Sequence, residues 1–221
     1  MHYTRTAAMF AALVLPAVAL ADSPFDGKSL AGWKAKHPEK GKWVVGTAVA
    51  EGNKLAAKEG GSELVNVQPG TDLYTEAKYG DCTIEVEFMV PKGSNSGVYV
   101  MGEYEVQILD SYGKPADKLT QGDLGALYSA AAPKVNAAKA PGEWQKFVIE
   151  FQAPKFEGSK KTANAKFIKV TLNDTVLHEN VEVKGPTPSG ITGKEAAEGP
   201  LMFQGDHGPV AFRNIKVTPR K

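Results

Sequence analysis

The chain has 221 residues, 42% hydrophobic and 23% charged, with a formal net charge of +1 and a single cysteine. A balance this close to neutral gives no electrostatic reason to expect nucleic acid or an anionic membrane as partner. One cysteine excludes an internal disulfide, so stability has to come from the core.

The first stretch reads as a targeting segment. Arg5 precedes the apolar run "AAMFAALVLPAVAL", and "ALA" at Ala19 to Ala21 puts small residues at the cleavage site, the pattern of a secretory signal. The run is short of the roughly 20 residues needed to cross a bilayer, and no later segment approaches that length. Residues 1–21 are therefore expected to be an export signal. Residues 22–221 are expected to form one domain, periplasmic or secreted, of a length common for all-β domains.

Strand signals dominate the rest. "KWVVGTAVAEG" from Lys42 reads as a strand and a turn, and residues 50–73 then read as a long loop. In "CTIEVEFMV", Ile84, Val86 and Phe88 alternate with Thr83, Glu85 and Glu87, and Cys82 at its start reads as a small buried hydrophobe rather than a nucleophile. "SGVYVM", "YEVQIL", "WQKFVIEFQA", "AKFIKVTLND", "TVLHENVEV", "GPLMFQG" and "VAFRNIKVTP" continue the series, each short and bounded by turn residues. Asn173 and Asp174 between two such runs signal a hairpin. Residues 111–124 and 129–142 read as long loops, and 193–199 could make one helical turn. Many short strands with unequal connections predict an all-β fold, a Greek-key or jelly-roll sandwich of two antiparallel sheets, with a concave face that the long loops could wall.

The stretch "GEYEVQILD" raises the functional question. Tyr104, Val106 and Ile108 point one way; Glu103, Glu105 and Gln107 point the other. Carboxylates two apart on a strand could do acid–base work on a sugar, since glycosidases hold their pairs about 5–9.5 Å apart. They could equally belong to a solvated sheet face. The Glu-x-Asp-x-x-Glu pattern of laminarinase-type glycosidases is not met. "PKGSNSGVY" opens a strand with small polar residues, and Gly97 marks a place for close approach. In "QGDHGPVAFRNI", His207 sits in a Gly-bounded turn and Arg213 in the last strand. No His-x-x-x-His or Cys-x-x-Cys spacing occurs, and no phosphate-binding glycine loop.

The elements "FDGKSLAGW", "GDCTIEVEFMVPKGSNSGVYV", "YEVQILD", "GALY", "GEWQKFVIEF", "LND" and "GPLMFQGDHGPVAFRNIKV", in this order, resemble the 3-keto-disaccharide hydrolase domain family, which has a concanavalin A-like jelly-roll fold. "EGSKKTANAKF" departs from it as an insertion. The resemblance implies an enzyme that cleaves 3-keto-glycosides by base-assisted elimination followed by hydration. It implies Glu105 as the general base and Arg213 and His207 as donors to the ketone or leaving oxygen. Asn95 and Ser96 would hold sugar hydroxyls, Gln107 and Asp110 would orient substrate, and Tyr128 and Gln204 would line the pocket. Glu103, at the strand edge, is set aside. Glu105, Gln107 and Asp110 also carry the hard oxygens that Ca2+ or Mg2+ take. The competing expectation is a carbohydrate-binding jelly-roll module without turnover, since a fold does not settle function.

Overall fold

Period-two burial builds the sheets. Cys82, Ile84, Val86 and Phe88 are buried while Thr83, Glu85 and Glu87 are only half-buried, and the strand Gln145–Gln152 repeats the pattern. The computed structural model describes residues 20–220, so most of the expected export signal lies outside the described residues. In chain order the strands are β1 (Trp33–Ala35), β2 (Trp43–Glu51), β3 (Lys54–Asn66), β4 (Leu73–Thr75), β5 (Cys82–Met89), β6 (Asn95–Val100) and β7 (Tyr104–Leu109). Then come β8 (Gln145–Gln152), β9 (Lys155–Glu157), β10 (Lys160–Ala163), β11 (Ala165–Leu172), β12 (Thr175–Val183), β13 (Met202–Phe203) and β14 (Val210–Pro219).

A five-stranded sheet has the order β1-β4-β13-β6-β7, and a seven-stranded sheet the order β12-β11-β8-β5-β14-β3-β2. All pairings are antiparallel, and the fold is the expected concanavalin A-like jelly roll. Non-polar faces of the two sheets meet in an aromatic core. Phe203 stacks on Phe212 at 3.9 Å and on Trp33 at 5.3 Å, while Phe151 packs against Tyr104 and Phe167. Each fully buried Phe is worth roughly 1.5–3 kcal/mol of transfer free energy, and Phe212→Ala would cost about 3–5 kcal/mol with its cavity.

Two sequence expectations need correction. Residues 50–73 are not a loop: Lys54–Asn66 is the longest strand, hairpinned onto β2 through Gly52 and Asn53. Its middle, "AAKEGG", has no β-branched residue, so partner pairing overrides weak propensity, with a register shift at Gly46/Thr47 absorbing the Gly60–Gly61 pair. Residues 193–199 form no helical turn. The Asn173–Asp174 hairpin is present, with both residues at positive φ as a type I′ turn requires. The insertion "EGSKKTANAKF" supplies the β9–β10 ribbon, a separate two-stranded sheet.

Cys82 is fully buried, and burial pushes its thiol up to about 12, which makes it an inert packing residue.

Candidate active site

β7 is the edge strand of the smaller sheet, and its free edge is covered rather than exposed. The segment 124–128 lies against it: the Tyr128 amide donates to the Glu105 carbonyl, the Gln107 amide to the Ala126 carbonyl, and the Gly125 amide to the Gln107 carbonyl. A second segment closes the other end. The Thr187 amide donates to the Glu103 carbonyl, and the Glu105 amide donates to Thr187 Oγ1 at 2.9 Å.

Pairing fixes what surrounds Glu105. In register across the sheet, Tyr74 lies opposite Met202, Met202 opposite Tyr99, and Tyr99 opposite Glu105. One step along, the Gln204 amide donates to the Gly97 carbonyl, and Gly97 lies opposite Gln107. The alternate row, Leu73, Phe203, Val98 and Val106, faces the core. Glu105, Tyr99, Gln204 and Asn95 therefore share the outer face of the smaller sheet.

Glu105 is 2% exposed. Tyr99 Oη donates to Glu105 Oε2 at 2.8 Å, while Glu105 Oε1 is buried with no partner. Burial is the main reason its carboxyl is pushed up, from 4.5 to about 7. The Tyr99 hydrogen bond and the His207 charge pull it down, and the nearby Asp72 and Asp206 push it further up. Gly97 makes the arrangement sterically feasible. A Cβ there would stand 2.2 Å from Glu105 Oε1, so the carboxylate lies where only glycine leaves room.

The neighbours are polar and underused. Gln204 Nε2 reaches Tyr99 Oη at 3.5 Å, while Gln204 Oε1 and Asn95 Oδ1 are buried without partners. Unpaired buried oxygens are costly, and three acceptors on one face suit a ligand rich in hydroxyl donors. His207 is half-exposed, and its Nδ1 bonds Asp206. The 205–208 turn is held from beneath by Asn66 Nδ2, which donates to the Gly205 and Gly208 carbonyls. Asp72 accepts from the Gly205 amide and lies 3.5 Å from Lys36 Nζ; burial is the main reason its carboxyl is pushed up.

The structure thus brings Glu105, Gln107, Gln204, Asn95 and His207 to one face, with Tyr128 at its border. It does not bring the other expected residues there. Phe212 points into the core, so Arg213 points out of the far side of the larger sheet, where Nε binds Glu87 at 2.7 Å and the guanidinium lies over the Trp144 ring. Ser96 belongs to the core-facing row and donates its hydroxyl to the Gln204 carbonyl at 2.8 Å. Asp110 lies beyond the end of β7 and accepts from the Gly93 and Tyr112 amides, so it organises turns. Glu103 is buried, but its carboxylate is engaged by the Thr192 amide, the Thr192 hydroxyl and the Gly193 amide, which makes it the anchor of the 187–193 segment.

Both Asp110 carboxylate oxygens accept from backbone amides, and Gln107 Oε1 accepts from the Ile108 amide. Among the described residues there is no group of three or more His, Cys, Asp or Glu side chains that could hold a metal. Sequence reasoning missed Tyr99, Asp72 and Asp206. Tyr99 was available, since Asn95, Gly97 and Tyr99 alternate on one face; Asp72 lies just before the short strand β4 and has no pattern of its own.

Comparison with known proteins gives the family of the chain. The chain is 26% identical over 226 residues to a 3-keto-disaccharide hydrolase of Bacteroides thetaiotaomicron, covering 87% of this chain and 76% of that protein. A crystal structure of a candidate glycosyl hydrolase from Parabacteroides distasonis superposes with a TM-score of 0.71 at 26% identity, covering 96% of this chain and 94% of the other. A second such structure from the same organism, at 17% identity and a TM-score of 0.65, shows the shared fold alone. The family model described as the 3-keto-alpha-glucoside-1,2-lyase-like domain matches residues 21–218, and this chain belongs to that family.

Proposed function

We propose that the protein cleaves 3-keto-glycosides, with Glu105 as the general base. Among the supporting observations one carries the most weight: a buried carboxylate pushed up to about 7, with one oxygen free, on a sheet face lined by unpaired acceptors. A base near neutrality is matched to proton abstraction at working pH. The family and the names of its relatives support a glycoside-cleaving enzyme.

The chemistry follows from the C3 ketone, which acidifies the C2–H bond. Glu105 Oε1 takes the C2 proton, and the electron pair passes to the ketone oxygen as an enolate. Collapse of the enolate forms the C1–C2 double bond and breaks the C1–O bond. The leaving oxygen needs one proton, and Tyr99 is positioned to relay it. The protonated carboxyl turns to present the Oε1 proton to Tyr99, whose hydroxyl gives its own proton to the leaving oxygen, so no free phenolate forms. Gln204 and His207 offer donors to the enolate oxygen, worth roughly 3–4 kcal/mol of barrier for one well-placed donor. Water then adds across C1–C2 by the reverse proton path, completing net hydrolysis. Export to the periplasm or the medium, from the "AAMFAALVLPAVAL" segment, is part of the same proposal.

The test is release of aglycone from a 3-keto-glucoside, run beside the parent glucoside. The reading predicts turnover of the keto substrate only, abolished in Glu105→Gln. Binding of sugars with no turnover of any 3-keto substrate would replace it with the carbohydrate-binding alternative.

A further inference from the structure

Glu105 stands on a chemical boundary. Across the smaller sheet its own row runs Tyr99, Met202 and Tyr74, and the next row is polar: Gln204, then Asp72 paired with Lys36, with Asn95 and His207 towards the strand ends. Past the edge of β7 the character changes. A cleft of about 360 Å3 opens between Tyr128 and the segment 182–188; the rings of Tyr128, Pro186 and Pro188 wall it, and Glu182, Lys184 and Thr187 also line it. That volume falls within the roughly 300–1,000 Å3 usual for small-molecule sites.

The cleft is tied to the base through its own walls. The Tyr128 amide donates to the Glu105 carbonyl at 3.1 Å, and the Glu105 amide donates to Thr187 Oγ1 at 2.9 Å. The Pro188 carbonyl lies 3.2 Å from Tyr99 Oη, the same hydroxyl that bonds the Glu105 carboxylate. Elimination imposes an order on the substrate. The base sits at C2, the leaving group departs from C1 beside it, and the hydroxyls at C4 and C6 lie on the far side of the ring. Those hydroxyls require polar partners, which Gln204 and Asp72 offer on the sheet face.

Resting on the reading of Glu105 as base, we propose that the Tyr128–Pro186–Pro188 cleft is the leaving-group subsite, and that it selects aglycones with a flat apolar face, phenolic ones above all. Tyr and Pro rings present rigid faces against which an aromatic ring stacks at low entropic cost. The keto ring then lies over Gly97 with its hydroxyls towards Asp72, and Tyr99 faces the departing oxygen.

The test compares phenyl and methyl 3-keto-glucosides and reads the ratio of their kcat/KM values, in which the intrinsic reactivity of the two leaving groups cancels between variants. Tyr128→Ala is expected to lower the phenyl-to-methyl ratio roughly three- to tenfold, as loss of one aromatic stack implies. Tyr128→Phe, which keeps the ring, is expected to hold the ratio. Pro186→Ala provides a second wall variant with the same direction of change should Tyr128→Ala not fold. A ratio unchanged in both wall variants, with Glu105-dependent cleavage intact, overturns the subsite and leaves the base reading standing. No cleavage of either keto-glucoside by the unaltered protein overturns both.

Discussion

Replacing Glu105 by Gln should abolish turnover and at the same time make the fold more stable at neutral and alkaline pH. The carboxyl of Glu105 is pushed from 4.5 to about 7, chiefly by burial. The folded state therefore holds a proton that the unfolded state releases between those values. Stability from this group is fully present below pH 4.5, declines by about 1.4 kcal/mol per pH unit, and is lost above about 7. Across the whole interval the loss is about 3 kcal/mol. Gln keeps the side-chain shape and can still accept from Tyr99, but it has no charge to desolvate. In thermal melts the variant should match the parent near pH 4 and exceed it at pH 8.5. For a domain of this size the gap corresponds to roughly 6–12 °C. The kinetic counterpart is a kcat/KM that rises with pH through about 7 in the unaltered protein. Equal melting shifts for Glu105→Gln at pH 4 and pH 8.5 would show that the carboxylate is not desolvated, and the argument for its role would fall with it.

Three further outcomes follow from the geometry. Gly97→Ala should displace the Glu105 carboxylate, because the added Cβ would stand 2.2 Å from Oε1; we expect kcat to fall at least roughly tenfold, as about 1.4 kcal/mol of misplacement implies, with the circular-dichroism spectrum retained, and an unaltered kcat would refute it. Arg213→Ala should leave kcat/KM within about twofold, since its guanidinium binds Glu87 and Trp144 on the opposite face; a hundredfold loss would return it to the site. His178 is buried with Nε2 on the Gly125 carbonyl, and burial holds its imidazole below the ordinary 6.5. Its folded state resists protonation, so stability is lost as pH falls below 6.5. The protection factors of amides 124–128, corrected for the intrinsic pH dependence of exchange, should fall with acid in the parent and show no such fall in His178→Gln.

The alternation in "CTIEVEFMV", "YEVQIL" and "KFVIEF" made the sandwich and its core legible from sequence, because each strand is buried on one face only. Glu105 was singled out by the same logic. What sequence could not supply was which side of which sheet a side chain faces. Arg213 follows Phe212 by one residue, and only the stacking of Phe212 on Phe203 reveals that Arg213 leaves through the wrong face. Ser96 and Asn95 differ by a single step of pleat, and that step separates the core from the site. Residues 50–73 concealed a strand because pairing with β2, not local propensity, makes it extended.

The covered edge of β7 also has a consequence for the order of folding. Glu105 is encoded near the middle of the chain, yet its environment is completed by Thr187, Pro188, Gln204 and His207, some eighty to a hundred residues later. Local β6–β7 pairing can form early, but it would leave Glu105 hydrated and an ordinary acid. Contacts of such long sequence separation close late and slowly. The base therefore acquires its altered protonation only when the C-terminal quarter of the chain docks. The proton taken up by Glu105 during refolding at a pH near 6 is a direct clock for that last step.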